Sequence, residues 1–452
     1  MRRFDWRLLA AVSLIGFSPH APAETRPRYG GTLSVEIRDL ITLTDPGEWP
    51  VPLVSLVYDR LVQLDDRGEP RPALAVSWQH DPENRRWEFR LRDGAKFSDG
   101  TSVTAADVAA NFKNWTDAKI SGDGGQTVVF AMQTPAPELP AALADARFAI
   151  LRRGADGVTV GSGPFHIAEW QPGRRAVLAA SESYWGGRPF LDAIELQMGR
   201  ALRDQSIDLE LGKADAVELS VEDARRAGQR GVRVWTSAPS DLFALVFEPG
   251  RAAVEDARVR QAVGLSLDRA AIHSVLLQKL GESTGALLPA WVTGYAFLFP
   301  AVRDLERARQ IVAMLSKPAP RLTLTYDAAD PLARAIAERI ALNAREAGLT
   351  LQVAPGANGD IRLARVHLRS VLPAQALVDL AAAFHLGELI EPSAVTPEAL
   401  YRVEKSALDT FRVAPLFHLP EILGVGPRVR NWQPKRWGDW RLDGVWLEAA
   451  TP

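Results

Sequence analysis

LVQLDDRGEPRPALAVSWQHDPENRRWEFRLRDGAKFSDGTSVTAADVAANFKNW, residues 61–115, carries the densest structural pattern of the chain. Within it Trp87, Phe89 and Leu91 alternate with charged residues, which is the period-two pattern of a half-buried strand. An Asp-Gly pair follows the strand, and a second pair at 99–100 predicts a hairpin. The stretch therefore begins as antiparallel β structure.

A helix start follows directly. Thr104 stands three residues before Asp107, the spacing of a capping box. Val108, Phe112 and Trp115 then recur at helical spacing and predict one apolar helix face. Taken by itself, the stretch is a compact α+β unit with no residues that suggest chemistry.

The amino terminus has the pattern of an export signal. Arg2 and Arg3 precede an apolar run at 8–17, and Ala21 and Ala23 provide small residues for cleavage. We expect a cleaved signal peptide over residues 1–23. The run is about half the length that a membrane-spanning helix needs, so a soluble periplasmic protein is expected.

Composition excludes several classes of protein. The 452 residues include no cysteine, so disulfides, thiolate metal sites and a lipidated cysteine are not expected. A net charge of -2 gives no basic surplus for nucleic acid, and we predict no nucleic-acid partner. The length favours two or three domains rather than one core.

The second half of the chain has the pattern of an α/β protein. Residues 322–326 form a clean strand pattern, and Asp330 with Pro331 predicts a helix start. A second strand is predicted at 349–353. A strand–helix–strand unit of this kind favours a parallel pair of strands.

Motifs for catalysis are weak. The G-x-S-x-G match at 281–285 holds Ser283, but an apolar helix-like run precedes it and Pro289 interrupts the residues after it, whereas a nucleophile elbow needs a strand before and a helix after. His385 and His418 each begin an H-x-x-E spacing, which is not the helical pair that a zinc site requires. We therefore predict a non-enzyme with no catalytic residue, no metal site and no cofactor.

Three blocks in series resemble the family 5 extracellular solute-binding proteins, the dipeptide, oligopeptide and nickel group of ABC importers. The first block is the stretch 61–115, the second is GSGPFHIAEWQPGRRAVLAASESYW at 161–185, and the third is DARVRQAV at 256–263. The tail APLFHLPEILGVGPRVRNW at 414–432 is a weaker match.

The resemblance implies a two-lobed α/β periplasmic-binding-protein fold, type II and cluster C-like, with an inserted subdomain in the first lobe. It further implies a receptor that closes around its ligand by hinge bending. The lobes would be joined near 241–247 and near 412–416. The expected divisions are residues 1–23 signal peptide, 24–47 lobe 1, 48–157 inserted subdomain, 158–243 lobe 1, 244–411 lobe 2 and 412–452 lobe 1.

The function implied by the resemblance is capture of a peptide or other small polar solute in the periplasm. The receptor, expected as a monomer, would deliver the solute to a membrane permease driven by a separate ATPase. One alternative is a degenerate family member that serves as a non-transport ligand sensor or folding helper. Another is a secreted hydrolase that uses Ser283.

The sequence departs from peptide-binding relatives where the ligand would be held. Those relatives place an acidic residue after a second-lobe strand, within a W-x-x-D-x-x-D-P-like stretch, for the peptide amino group. Here the equivalent strand at 360–367 runs into 368–373 with no further acid. Arg365, His367 and Arg369 alternate instead, which predicts one cationic face.

If that face lines the cleft, the ligand carries a carboxylate or phosphate; the alternative is a solvated outer face. The other candidate ligand contacts come from the family map. They are Thr44, Asp45, Trp49, Ser162, Phe243, Trp291 and Tyr295.

Overall fold

The structure is a computed structural model that describes residues 26–113, 115–122, 125–154, 157–315, 319–387, 396–432, 434 and 439–448. The predicted signal peptide, 1–23, lies outside these ranges. Among the residues described, no helix combines the length and apolar character needed to cross a bilayer.

The strands, in chain order, are β1 (Thr32–Glu36), β2 (Val62–Leu64), β3 (Pro70–Pro72), β4 (Ala75–His80), β5 (Arg86–Leu91), β6 (Ala118–Gly122), β7 (Thr127–Met132), β8 (Leu151–Arg153), β9 (Thr159–Gly161), β10 (Phe165–Gln171), β11 (Arg175–Ala180), β12 (Ala193–Gln197), β13 (Ala216–Glu218), β14 (Arg233–Thr236), β15 (Asp241–Phe247), β16 (Glu282–Ser283), β17 (Arg321–Tyr326), β18 (Thr350–Pro355), β19 (Ile361–His367), β20 (Val413–Leu419), β21 (Ile422–Val425), β22 (Val429–Arg430) and β23 (Trp446–Leu447).

The α-helices, in the same order, are α1 (Val51–Val57), α2 (Ala105–Asn111), α3 (Leu139–Ala142), α4 (Leu202–Glu210), α5 (Val221–Gln229), α6 (Ala252–Glu255), α7 (Ala257–Ser266), α8 (Arg269–Val275), α9 (Ala290–Thr293), α10 (Leu305–Ala313), α11 (Pro331–Glu346), α12 (Pro373–Ala383) and α13 (Pro397–Asp409). Short 3-10 turns occur at Pro46–Glu48, Ala146–Phe148 and Ala296–Leu298.

Two large mixed sheets define two lobes. Lobe 1 is built on the sheet ordered β10-β11-β12-β1-β13-β21-β14, and lobe 2 on the sheet ordered β16-β20-β15-β19-β17-β18. A third sheet, ordered β4-β5-β7-β6, has its own hydrophobic core, which includes Trp87, Phe89 and Val108. We refer to this sheet and α2 as the inserted subdomain. The two-lobed α/β fold expected from the sequence is confirmed.

The local predictions in the opening stretch are confirmed in part. β5 alternates as expected, with Trp87 and Phe89 buried. Thr104 and Asp107 form a reciprocal capping box at the start of α2. The helix ends at Asn111, one turn earlier than the apolar spacing suggested, and the second Asp-Gly pair makes a tight turn with one isolated β-bridge.

The parallel unit predicted in lobe 2 is confirmed. β17 and β18 pair in parallel, and α11 runs between them in the chain. The Asp330 carboxylate caps α11 by accepting the backbone N–H groups of Leu332 at 2.9 Å and Ala333 at 3.2 Å. The sheet lies between two apolar layers, because Phe243 and Leu245 of β15 join one core and Leu242 and Ala244 join the other.

The lobe 2 sheet extends closer to the crossings between the lobes than the family map implied. β15 pairs with β20 from Asp241 onward, and β20 continues to Leu419. The lobe 2 sheet therefore includes 241–243 and 413–419, which the expected divisions place in lobe 1. Continuous antiparallel pairing is the physical reason, since it keeps both strands in one sheet.

A glycine at the junction of lobe 1 and the inserted subdomain supplies a stability prediction. A Cβ added at Gly161 would overlap the carbonyl oxygen of Val57, which is backbone and cannot move aside cheaply. We expect Gly161→Ala to lower the free energy of unfolding by about 1–3 kcal/mol. Urea denaturation checks this.

The matched control is Gly228→Ala in α5, where an added Cβ meets nothing within 4 Å. That change should stabilise the helix by up to about 1 kcal/mol. Equal effects of the two substitutions would contradict the close approach at Gly161.

Candidate functional site

Two chain crossings join the lobes side by side. One is the segment 237–240 between β14 and β15, and the other is Pro420 and Glu421 between β20 and β21. Ser237 N–H donates to Glu421 O at 3.1 Å, and Glu421 N–H donates to Ser237 Oγ at 2.9 Å. The pair is short and mutually bonded, so it is the natural hinge between the lobes.

A buried carboxylate stands at the lobe 2 side of this hinge. Asp241 opens β15 and lies opposite His367 in the register of β15 with β19. Arg365 Nε donates to one carboxylate oxygen of Asp241 at 2.7 Å, and His367 Nδ1 lies 2.7 Å from the other. Burial would raise the pKa of Asp241, but Arg365 and His367 outweigh it and hold the pKa below its usual value.

The charges continue across the cleft to lobe 1. Asp330, which caps α11, lies 3.5 Å from Arg365 Nη1 and 3.9 Å from Arg38 Nη1. Arg38 follows β1 and pairs with Glu218, at the end of β13, at 2.9 Å. Acidic and basic side chains therefore alternate along a line of contacts from Asp241 in lobe 2 to Glu218 in lobe 1.

Glu421 completes this hinge cluster, which we define as Arg38, Glu218, Asp241, Asp330, Arg365, His367 and Glu421. Its Oε1 lies 3.9 Å from His367 Nδ1. Burial raises the pKa of Glu421 to about 7, with His367 opposing and Asp241 adding to the shift. Burial lowers the pKa of His367, but its hydrogen bond and charge contact with Asp241 outweigh burial and raise it overall.

The charges of the hinge cluster largely compensate one another. Three basic side chains, those of Arg38, Arg365 and His367, contact the carboxylates of Glu218, Asp241 and Asp330, while burial favours the neutral form of Glu421 by raising its pKa to about 7. This is the arrangement of a self-compensated network rather than of a surplus of positive charge.

Arg365 and His367 share one face as predicted, but their charges are already compensated by Asp241. The anion-binding role expected for these two residues is therefore not favoured by the arrangement. Arg369 differs, because it lies beyond the end of β19 and its Nη2 donates to Gly47 O of lobe 1 at 3.0 Å. Phe243 is fully buried beneath Arg365, whose guanidinium carbon lies 5.6 Å from the ring centroid.

Trp49, a predicted ligand contact, packs in the core of lobe 1. It is 1% exposed, it stacks on Trp170 at 5.9 Å, and its Nε1 donates to Leu43 O at 3.1 Å. A proline-flanked position in the sequence does not reveal that another indole covers it.

Thr44 and Asp45 hold the loop after β1 in place. Thr44 O accepts hydrogen bonds from Tyr58 Oη at 2.5 Å and Thr159 Oγ1 at 2.7 Å. Asp45 accepts from Gly47 N–H at 3.0 Å and pairs with Arg153 at 3.3 Å. These contacts place the loop opposite Arg369, so two predicted parts of the site meet across the cleft.

The remaining candidates lie near the hinge or in the interior. Trp291 Nε1 donates to Pro239 O in the hinge at 2.8 Å. Tyr295 is buried and packs edge-on against Tyr401 at 5.9 Å. Ser162 is 2% exposed. Of the predicted candidates, Trp291 thus bears on the hinge, while Tyr295 and Ser162 are interior.

Ser283 does not form a nucleophile elbow. It lies in the two-residue strand β16, paired with Phe417 of β20, rather than between a strand and a helix. His418, the first residue of one H-x-x-E spacing, is buried against Leu287 O at 2.9 Å. Within the described ranges, no group of three His, Asp or Glu side chains is arranged to hold a metal ion.

Comparison with known proteins settles the family. Residues 69–367, more than half of the chain, match the model of the bacterial extracellular solute-binding proteins, family 5 Middle. The chain belongs to this family. The resemblance expected from the three sequence blocks is thereby confirmed.

Two curated relatives come from Escherichia coli (strain K12). The chain is 25% identical to the probable D,D-dipeptide-binding periplasmic protein DdpA over 351 residues, covering 70% of this chain and 68% of that protein. It is 22% identical to the nickel-binding periplasmic protein over 338 residues, covering 65% and 64%. The alignments thus span about two thirds of these relatives.

Solved structures agree on the fold. NikA from Staphylococcus aureus, in complex with Ni(L-His)2, superposes with a TM-score of 0.80 at 18% identity, over 92% of this chain and 100% of that one. A dipeptide binding protein from pseudoalteromonas sp. SM9913, in complex with Met-Leu, gives 0.79 at 15% identity over the same shares.

The hinge cluster predicts a pH dependence of stability. The folded protein holds a proton on Glu421 up to about pH 7, whereas an unfolded glutamate, with a pKa of 4.5, releases it earlier. The proton on Glu421 therefore adds to the free energy of unfolding in full below about pH 4.5, and this contribution is lost as pH rises through about 7. We expect Glu421→Gln to reduce the fall in unfolding free energy over this window, measured by urea denaturation across a pH series.

Glu398→Gln, which removes an exposed carboxylate of α13, controls for the change in net charge. Some slope should remain in Glu421→Gln, because the raised pKa of His367 acts in the same direction. If the unfolding free energy fell equally steeply with pH in Glu421→Gln and in the parent protein, Glu421 would not be the group that holds the proton.

Proposed function

We propose that the protein is the periplasmic solute receptor of an ABC importer. It captures a small polar solute or a peptide between its lobes and delivers it, as a monomer, to a membrane permease driven by an ATPase. The observation that carries this proposal is the hinge. Two short crossings, bonded to each other, leave two otherwise complete sheets able to rotate as rigid bodies.

Contacts across the cleft support capture by closure. Arg147, in the 3-10 turn Ala146–Phe148, pairs with Asp379 of α12 at 2.7 Å. Arg369 reaches Gly47 of the opposite lobe, and Arg38 approaches Asp330. Each of these contacts forms only when the lobes approach one another, so each favours the closed state.

No chemistry is required by this proposal. The two Escherichia coli relatives are binding proteins, and Ser283 lies in a short edge strand rather than in an elbow. We therefore favour binding without turnover over the secreted hydrolase. Transport and sensing differ in one respect: only in transport does solute uptake by a permease require this protein.

The direct test uses protein purified from the periplasm of its own host. Native mass spectrometry should find one small molecule retained per monomer. Adding that molecule to stripped protein should reduce the radius of gyration measured by small-angle X-ray scattering. Loss of solute uptake in a deletion strain would support transport over sensing. Retention of no solute, with no compaction by host extract, would defeat the receptor proposal.

The pair between Arg147 and Asp379 gives a quantitative test of closure. Asp379→Asn should weaken binding of the retained solute by up to about fivefold, because a partly exposed ion pair contributes up to about 1 kcal/mol. Titration calorimetry checks this.

Asp409→Asn is the matched control, since Lys405 and Asp409 pair at 2.5 Å within α13 and do not cross the cleft. If both variants lower affinity equally, the contact between Arg147 and Asp379 does not act as a closure contact.

A further inference from the structure

An inter-lobe pocket of about 50 Å³ lies beyond the end of β19. That is room for a few water molecules, so a larger ligand is held only with the lobes further apart than they are here. One wall comes from α1, β2 and the residues around α3, and the other from the segment after β19. The charged and polar lining residues are Arg60, Asp145, Arg369, Ser370 and Asp439.

Most of the charge in this pocket is compensated internally. Arg60 pairs with Asp439 at 2.5 Å and also donates to Ala144 O at 2.9 Å. Asp145 pairs with Arg147 at 3.0 Å and accepts its backbone N–H. The two carboxylates of the pocket are therefore engaged and offer little to a ligand ammonium group.

Arg369 is the exception. Its side chain is exposed, and its Nη2 donates to Gly47 O at 3.0 Å. Among the side chains that the structure describes, a set that omits that of Glu48, its only polar contact is this backbone carbonyl and no carboxylate pairs with it. A guanidinium group has five N–H donors in a planar fork, so most of them remain available. Within the described side chains, Arg369 is thus the one positive charge of the pocket that no carboxylate compensates.

Apart from Ser370, whose hydroxyl accepts the backbone N–H of Leu372, the rest of the lining is aliphatic. Alanine, valine and leucine side chains form one wall, and leucine and valine form the other. A ligand that matches has one negative charge and an apolar body. A carboxylate meets both requirements and fits the guanidinium fork through two parallel hydrogen bonds. A doubly charged phosphate would bring a second negative charge close to Asp145 and Asp439, and this charge would have no partner.

We propose that the inter-lobe pocket selects solutes that carry a carboxylate and an aliphatic body but no free ammonium group, with Arg369 holding the carboxylate. This inference rests on the proposed receptor function and names its ligand class. It assigns this role to Arg369 and not to Arg365 or His367, because those two side chains already pair with the carboxylate of Asp241.

Titration calorimetry with a fixed set of probes tests the proposal. The carboxylate probes run from propionate to octanoate and include N-acetyl-leucine; leucinamide and inorganic phosphate are the contrasting probes. We expect binding by at least one carboxylate probe and weaker binding by both contrasting probes. Arg369→Gln should weaken the binding about tenfold or more, the cost of losing charged hydrogen bonds.

Arg369→Lys keeps the charge but lacks the fork, and should bind with intermediate affinity. Arg402→Gln, at an exposed arginine of α13, is the matched control and should bind as the parent does. Circular dichroism confirms that each variant is folded. Absence of binding by every carboxylate probe, equal binding of leucinamide or phosphate, or an unchanged Kd in Arg369→Gln would each overturn the assignment.

Failure of this inference is separable from failure of the receptor proposal. A retained host solute that lacks a carboxylate, bound equally by Arg369→Gln, would leave the receptor standing and remove the role of Arg369. A protein that retains no solute and does not compact would remove the receptor function itself.

Discussion

The carboxylate of Asp241 is the constraint on which the hinge depends. It is only 4% exposed, at the point where the chain enters the lobe 2 sheet, and a buried carboxylate without partners would destabilise the fold. Arg365 and His367 meet this requirement from the adjacent strand. Arg365 and His367, two of the three alternating basic residues at 365–369, are therefore structural parts of the hinge.

Much of the scaffold is predictable because its signals are local. The alternation of Trp87, Phe89 and Leu91 and the capping box of Thr104 each depend on residues a few positions apart. The same holds for the cap of Asp330 on α11. The family blocks add the order of the lobes, which no local pattern contains.

The hinge cluster is not predictable in this way, because its members come from distant parts of the chain. Asp241 and His367 are 126 residues apart, and Arg38 and Glu218 are 180 apart. Their contact depends on the register of β15 with β19 and on the order of strands in each sheet. The packing of Trp49 is hidden from the sequence for the same reason, since the ring that covers it, Trp170, lies in a strand of the second sequence block.

Arg365 and Arg369 show how one pattern can yield two roles. Alternation alone predicts a shared cationic face for both, because it gives the direction of a side chain but not what lies opposite it. Arg365 faces Asp241 and Asp330, so its charge is compensated inside the protein. Arg369 lies past the end of the strand and meets a backbone carbonyl of the other lobe. Ligand recognition in such a cleft depends on which charges the fold leaves uncompensated, and the count of arginines in a strand does not determine that.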